Sequence, residues 1–158
     1  MGDHTETVQV DYDPERITYD QLLEIFWESH QPTSRNSSRQ YMNVIFYHDE
    51  HQRRLAMTSQ NAVEQKTSGT IRTKVLSIQS FTMAEDYHQK YILKHQFEIL
   101  SEMTRIYPQH QDFIASTAVA RLNGYADGNG TRDQLLREID MLGLSESGKR
   151  TLSGLVRE

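Results

Sequence analysis

Gln40-Tyr41-Met42-Asn43-Val44-Ile45-Phe46-Tyr47-His48-Asp49-Glu50 carries large apolar side chains on both of its alternating faces. Tyr41, Ile45 and Tyr47 fall on one side of an extended chain, and Met42, Val44 and Phe46 on the other. Such a stretch predicts a strand covered from both sides, in the middle of a sheet. Asp49 then opens a helical pattern to about Lys66, with Leu55, Ala56, Met57, Ala62 and Val63 as its sparse apolar positions. Upstream, Thr5 to Asp13 alternates Val8, Val10 and Tyr12 against Thr7, Gln9 and Asp11, which predicts a strand with one wet face. Glu6 falls on the apolar side of that alternation.

Between these strands Asp13-Pro14 makes a break, and Thr18 is an N-cap for a helix from Tyr19 to Ser29. Leu22, Leu23, Phe26 and Trp27 form its buried side, and Pro32 stops it. His30 to Arg39 is polar and aperiodic, hence a loop. Ile71 to Gln79 alternates and predicts another strand, and a helix is expected from Gln89 to Thr104, closed by Pro108. The last third reads as helices only. One spans Asp112 to Leu122 and ends at Asn123-Gly124, a second is capped by Thr131, and a third is capped by Ser145. Strand, helix, strand, helix, strand and then helices imply an α+β architecture, a small mixed sheet packed with helices and followed by a C-terminal helical tail.

With 158 residues the chain is one domain, or one domain with an appendage. A net charge of -5 speaks against a nucleic-acid or anionic-membrane surface, and no apolar run approaches membrane-spanning length. The first residues lack the basic and apolar regions of a signal peptide, so the cytoplasm is the default compartment. There is no cysteine, which removes disulfides and thiolate metal sites. His4, His30 and His48 are too scattered for a metal site. Asp127-Gly128-Asn129-Gly130-Thr131 has the look of a calcium loop. In that register the first and twelfth ligand positions fall on Tyr125 and Leu136, so a glycine-rich helix cap is the better reading.

Several spaced motifs, in order, resemble the peptide methionine sulfoxide reductase A family. They are His4-Thr5-Glu6-Thr7-Val8, Val10-Asp11-Tyr12-Asp13-Pro14, the helix exit Leu22-Leu23-Glu24-Ile25-Phe26-Trp27-Glu28-Ser29-His30-Gln31-Pro32-Thr33, Gln40-Tyr41, Val44 to Tyr47, and Ala84-Glu85-Asp86-Tyr87-His88-Gln89-Lys90-Tyr91. The resemblance implies a ferredoxin-like reductase core over 1–108 and a helical extension over 109–158 packed on it. The family's Gly-Cys-Phe-Trp and Tyr-Ala-Gly-Gly segments have no counterpart here, so the expectation is an N-terminally shortened core. In the family pattern Asp-x-Gly-Thr-Gln-Tyr-Arg, the Asp falls on Asn36, the Gly on Ser38, the Thr on Arg39 and the Arg on Met42.

What the resemblance implies for chemistry is specific. A cysteine thiolate attacks the sulfur of a peptide methionine (S)-sulfoxide, and thioredoxin or another thiol restores the enzyme without a further cofactor. Glu6 corresponds to the acid that protonates the sulfoxide oxygen, a role that burial on an apolar face would serve. Tyr41 corresponds to the tyrosine that hydrogen-bonds that oxygen. Asn36, Asp86, Tyr87 and His88 are expected to line the substrate pocket or to support it from behind. Protein repair under oxidative stress is the implied task, with peptide or protein methionine sulfoxide as partner. Without a thiol this polypeptide is expected to be inactive alone. The rival readings are a non-catalytic module that binds methionine-containing peptides, or a structural protein acting through its C-terminal helices. An uncovered sheet is also expected to promote self-association.

Overall fold

The computed structural model describes residues 4–35 and 38–156. They form two compact units, Met1–Phe81 and Thr82–Glu158.

In the N-terminal unit, helix α1 (Tyr19–Glu28) starts where its capping signals place it. The Thr18 hydroxyl accepts from the Gln21 N–H, and the Gln21 side chain accepts from the Thr18 N–H, a reciprocal capping box. Strand β1 (Val44–Tyr47) is followed by helix α2 (Glu50–Lys66), which Asp49 caps through the Gln52 N–H, and then by strand β2 (Lys74–Ser77). β1 and β2 pair in parallel, with Val44 opposite Lys74, Ile45 opposite Val75, Phe46 opposite Leu76 and Tyr47 opposite Ser77. A parallel pair needs a crossover connection, and α2 supplies it. One face of this small sheet presents Ile45 and Val75 to α1 and α2. There Leu23, Trp27, Ile45 and Ala56 are buried, with Phe26, Leu55, Val63 and Ile71 packed around them. The Trp27 indole N–H donates to the Ser59 hydroxyl 3.0 Å away, which ties α1 to α2.

The exit of α1 also holds β2. His30 Nδ1 lies 2.7 Å from the Phe26 carbonyl, and Nε2 lies 2.8 Å from the Thr73 hydroxyl. A carbonyl can only accept, so Nδ1 carries the hydrogen. The Pro32 carbonyl accepts from the Arg72 N–H at 2.7 Å, and the Gln60 side chain donates to the Thr73 carbonyl at 2.7 Å. The His-x-Pro sequence thus anchors buried Thr73 just before the strand.

The α+β expectation with a helical C-terminal part holds. The sheet itself is smaller than the alternation implied. Thr5 to Asp13 is not a strand, and Val8 and Val10 are 87% and 56% exposed. The Glu6 N–H donates to the Gln40 carbonyl at 2.9 Å, and at the far end the Asp13 carbonyl accepts from the Arg16 and Ile17 N–H groups in a turn. Alternation prepares a strand, but only a ladder makes one. For the same reason β1 is not flanked on both sides by strands in the described residues. Ile45 is buried, while Val44, Phe46 and Tyr47 are half-buried.

The C-terminal unit contains five helices among the described residues. They are α3 (Phe97–Ile106), α4 (His110–Ala115), α5 (Thr117–Ala126), α6 (Arg132–Glu138) and α7 (Glu146–Leu155). Its core is Leu93, Ile99, Met103, Phe113, Val119, Leu122, Tyr125, Leu135, Leu142, Leu144, Leu152 and Val156. The helix expected from Gln89 begins only at Phe97. Two short 3₁₀ turns, Asp86–His88 and Leu93–His95, precede it. Lys90 adopts φ 52°, which interrupts the helical path, and the Leu93 N–H donates to the Asn123 side chain rather than to a carbonyl four residues back. The helix expected over 112–122 is two helices, because the Ser116 hydroxyl accepts the Val119 N–H and restarts the turn as a cap. Gly124 lies inside α5 instead of ending it. Gly130, at φ 87°, is the glycine the loop requires, since a Cβ there would stand 2.7 Å from the Tyr125 ring.

Carboxylates of α3 clasp the start of α7. Glu102 accepts from the Ser145 N–H at 2.7 Å and from its hydroxyl at 2.5 Å, and Glu98 accepts from the Ser147 and Thr151 hydroxyls, each at 2.5 Å. Those hydroxyl donors hold the Glu98 carboxyl below the usual 4.5. A lowered folded-state value means stabilisation present above the ordinary glutamate range and lost as pH falls through the lowered value. We therefore expect the thermal midpoint to fall on acidification below about 4.5, and the Glu98→Gln variant to show a shallower fall. Equal slopes for the two proteins would show that Glu98 is not the sensor. On the opposite limb, Asp140 and Glu146 push Lys149 up to about 12, so its contribution persists through neutral pH and is lost only in strong alkali.

Candidate functional site

Glu6 and Tyr41 come from segments 35 positions apart, and the structure draws these segments together. The Glu6 carboxylate accepts from the Gln40 side chain at 2.6 Å, its N–H donates to the Gln40 carbonyl, and the Thr5 hydroxyl donates to the Arg39 carbonyl at 3.1 Å. Gln40 is the residue beside Tyr41, so the carboxylate sits next to the tyrosine-bearing segment. The environment is not the expected one. Glu6 is exposed, and Tyr41 is 60% exposed. The reason is the one that leaves Val8 and Val10 in solvent. No strand of the described residues lies against the 5–13 segment to bury its apolar side.

Asn36 lies outside the described residues. Asp86, Tyr87 and His88 form one of the 3₁₀ turns of the C-terminal unit, and all three are exposed. The Tyr87 and His88 rings are tilted, with centroids 4.2 Å apart. The Asp86 main-chain carbonyl accepts from the Lys94 ammonium. Asp86 Oδ1 lies 3.0 Å from His110 Nε2, off the line that a hydrogen bond needs, and His88 lies 3.9 Å from the Glu85 carboxylate. These contacts tie the turn to α4 and to the Lys94 segment, a local bracing rather than a converging triad.

The larger feature of the N-terminal unit is an open cleft of about 640 Å³ on the sheet face away from α1 and α2. It is lined by Ser34, Arg35, Ser38, Arg39, Met42, Asn43, Phe46, Arg72, Lys74 and Leu76. Pairing in register sets Phe46 beside Leu76, and the two-residue period puts Lys74 and Leu76 on one side of β2, with Arg72 just before the strand. Arg39 and Met42 flank Gln40-Tyr41 in the chain. Sequence reasoning missed the cleft. The signal was present in the spacing of Arg72 and Lys74, two residues apart at the entry to β2, but nothing local tied them to Arg35 and Arg39.

A parallel β–α–β unit preceded by a Phe-Trp-x-x-His-x-Pro helix exit, with a carboxylate drawn to a Gln-Tyr pair, is an α+β chain whose motifs resemble the sulfoxide-reductase family. The sequence pattern of that family, described as peptide methionine sulfoxide reductase, matches residues 1–122, and the chain belongs to this family. A peptide methionine sulfoxide reductase of Drosophila melanogaster is 35% identical over 152 residues, which is 95% of this chain and 61% of that protein. One from Methanococcoides burtonii is 41% identical over 102 residues, 60% of this chain and 67% of its own length. One from Oryza sativa subsp. japonica is 36% identical over 132 residues, 80% of this chain and 51% of its own length. The chain therefore spans about half to two thirds of these relatives. The Drosophila match takes in most of the helical region beyond residue 122. No helix among the described residues is long and apolar enough to cross a membrane.

Proposed function

We propose that these residues hold the methionine sulfoxide of a peptide or protein for thiol-dependent reduction, and that the reacting thiol comes from outside them. Tyr41 donates its hydroxyl hydrogen to the sulfoxide oxygen, and Glu6 supplies the proton that lets the oxygen leave sulfur. In the complete reaction a thiolate attacks sulfur and methionine departs, leaving the oxygen on the former thiolate as a sulfenic acid. A second thiol then gives a disulfide and water. Two thiols are thus oxidised for each sulfoxide reduced, with a thioredoxin-like protein as the implied source of electrons. No hydroxyl can replace the sulfur, because the oxygen must end on an atom that thiols can reduce. The sequence contains no cysteine, so the chain alone binds without turnover. Asn36, Asp86, Tyr87 and His88 are assigned to the support of the bound peptide. Residues 1–108 are assigned to the reductase-like core and 109–158 to its extension. The action is repair of oxidised protein in the cytoplasm.

The observation that carries this reading is the pairing of Glu6 with Gln40, the neighbour of Tyr41. Titration of a methionine sulfoxide peptide against the chain is expected to show binding that weakens about tenfold in Glu6→Ala and in Tyr41→Phe, the loss of one hydrogen bond to the ligand in each case. No binding, or binding untouched by both changes in folded protein, would sink the proposal and leave a structural role. Added dithiothreitol is expected to produce no methionine from the sulfoxide above the rate without protein.

A further inference from the structure

The chain has five lysines, and four of them hold their charge in ordinary surroundings. Lys66 and Lys74 are exposed to water, Lys94 donates to the Asp86 carbonyl, and Lys149 pairs with Asp140 and Glu146. Lys90 differs from all of these. It is half-buried, and its ammonium makes no hydrogen bond or ion pair among the described residues. Burial without a compensating charge pulls its pKa below the ordinary lysine value. An ammonium taken partly out of water without a partner costs free energy that the neutral amine does not.

The local chain explains the missing partner. Asp86 stands four residues before Lys90, the spacing and order at which a helix joins an acid to a lysine. No helix forms between them here. Lys90 adopts φ 52°, in the left-handed region that no other non-glycine residue enters among the described residues, and it lies between the turns Asp86–His88 and Leu93–His95. Several bonds fix this corner. The Gln89 side chain donates to the Ala84 carbonyl at 3.2 Å, the Lys94 N–H to the Lys90 carbonyl at 3.2 Å, and the Leu93 N–H to the Asn123 side chain at 3.1 Å. The two carboxylates of the turn face histidines instead, Asp86 at 3.0 Å from His110 and Glu85 at 3.9 Å from His88. The fold thus holds one amine at partial burial without a counter-charge, and a lysine amine in such a setting is an activated nucleophile.

We infer that Lys90 is an acylation site of this chain, at which the amine takes up the acyl group of a thioester or an acyl phosphate. The neutral nitrogen attacks the acyl carbon and a C–N bond forms, while the C–S bond of the thioester or the C–O bond of the acyl phosphate breaks. The thiolate or phosphate leaves with the electron pair, and the nitrogen gives up one proton to solvent. The product is an uncharged amide. At Lys149 the same change would discard contacts to two carboxylates. At Lys90 it discards none and ends the burial of an unpaired charge.

The test treats the full chain near neutral pH with a limiting amount of acetyl phosphate in one arm and of acetyl coenzyme A in the other. The acetyl group on each lysine is then read by peptide mass mapping. Lys90 is expected to be acetylated severalfold faster than Lys66, Lys74 and Lys94. It is expected to lead Lys149, which its two carboxylates push up to about 12, by at least about tenfold. A lead in either arm supports the site and assigns the class of donor. In guanidinium chloride the five rates are expected to converge, because the fold creates the difference. Lys90→Gln, which carries a neutral amide as the product does, is expected to leave the thermal midpoint unchanged or raised. Lys90 no faster than exposed Lys66 in both arms, a lead that persists in denaturant, or a lowered midpoint in Lys90→Gln would overturn the inference.

Discussion

Replacing Glu138 by alanine is expected to cost the C-terminal unit about 2–3 kcal/mol, the penalty for leaving a buried hydroxyl donor without its charged acceptor. Glu138 ends α6 and is buried. One carboxylate oxygen accepts from the Tyr125 hydroxyl, and the other pairs with the Arg121 guanidinium. Tyr125 is itself buried, and burial pushes its hydroxyl above the ordinary tyrosine range, so it remains a donor. Alanine would strand that donor, while Arg121, whose side chain is 39% exposed, would turn to solvent. Since Tyr125 and Arg121 lie on α5, the same change loosens the packing of α5 against α6. Glu138→Gln keeps an acceptor for Tyr125 while discarding the charge, and is expected to lose roughly half as much. Urea denaturation followed by far-ultraviolet circular dichroism measures both. A loss under about 1 kcal/mol for alanine would mean that solvent reaches the site and replaces the carboxylate.

The second large effect falls on the unit that carries the proposed site. Trp27→Ala is expected to cost about 3–5 kcal/mol, as large aromatic deletions from a core do. Leu23, Trp27, Ile45 and Ala56 are the buried core of the N-terminal unit among the described residues, so one deletion removes much of its apolar volume. It also removes the donor to Ser59, whose hydroxyl in turn donates to the Ala56 carbonyl. Trp27→Phe restores most of the volume without the hydrogen bond, and a loss of about 1–2 kcal/mol is expected. Trp27 is the sole tryptophan, so in the native protein its fluorescence reports on this unit alone. The variants are followed by amide signals of β1 and β2 in two-dimensional spectra. Retention of those signals at the native denaturant midpoint in Trp27→Ala would show that α1 is not what covers the sheet.

The contrast between helices and strands explains how legible the chain was. Thr18, Asp49, Thr131 and Ser145 each cap the helix that the sequence announces, because a cap is a bond to a residue three positions away and needs nothing distant. β1 was visible from its apolar residues, and the family from the order of its motifs. The Thr5–Asp13 alternation misled because a strand is completed by its neighbours, and the helix before Phe97 misled because Asn123, thirty residues on, takes the Leu93 N–H. Of the proposed site, Glu6 and Tyr41 could be named from resemblance. Their exposure, and the bond from Glu6 to Gln40, could not.

By itself the sequence determined where most helices begin, which family the motifs belong to, and that no thiol chemistry can arise within these residues. Each of these is a local or compositional property. Only the tertiary structure decided that β1 pairs with β2 in parallel, and that Glu6 meets Gln40 in solvent rather than in a core. Those arrangements depend on which distant segments come together, and that is set by burying Leu23, Trp27, Ile45 and Ala56 against one another.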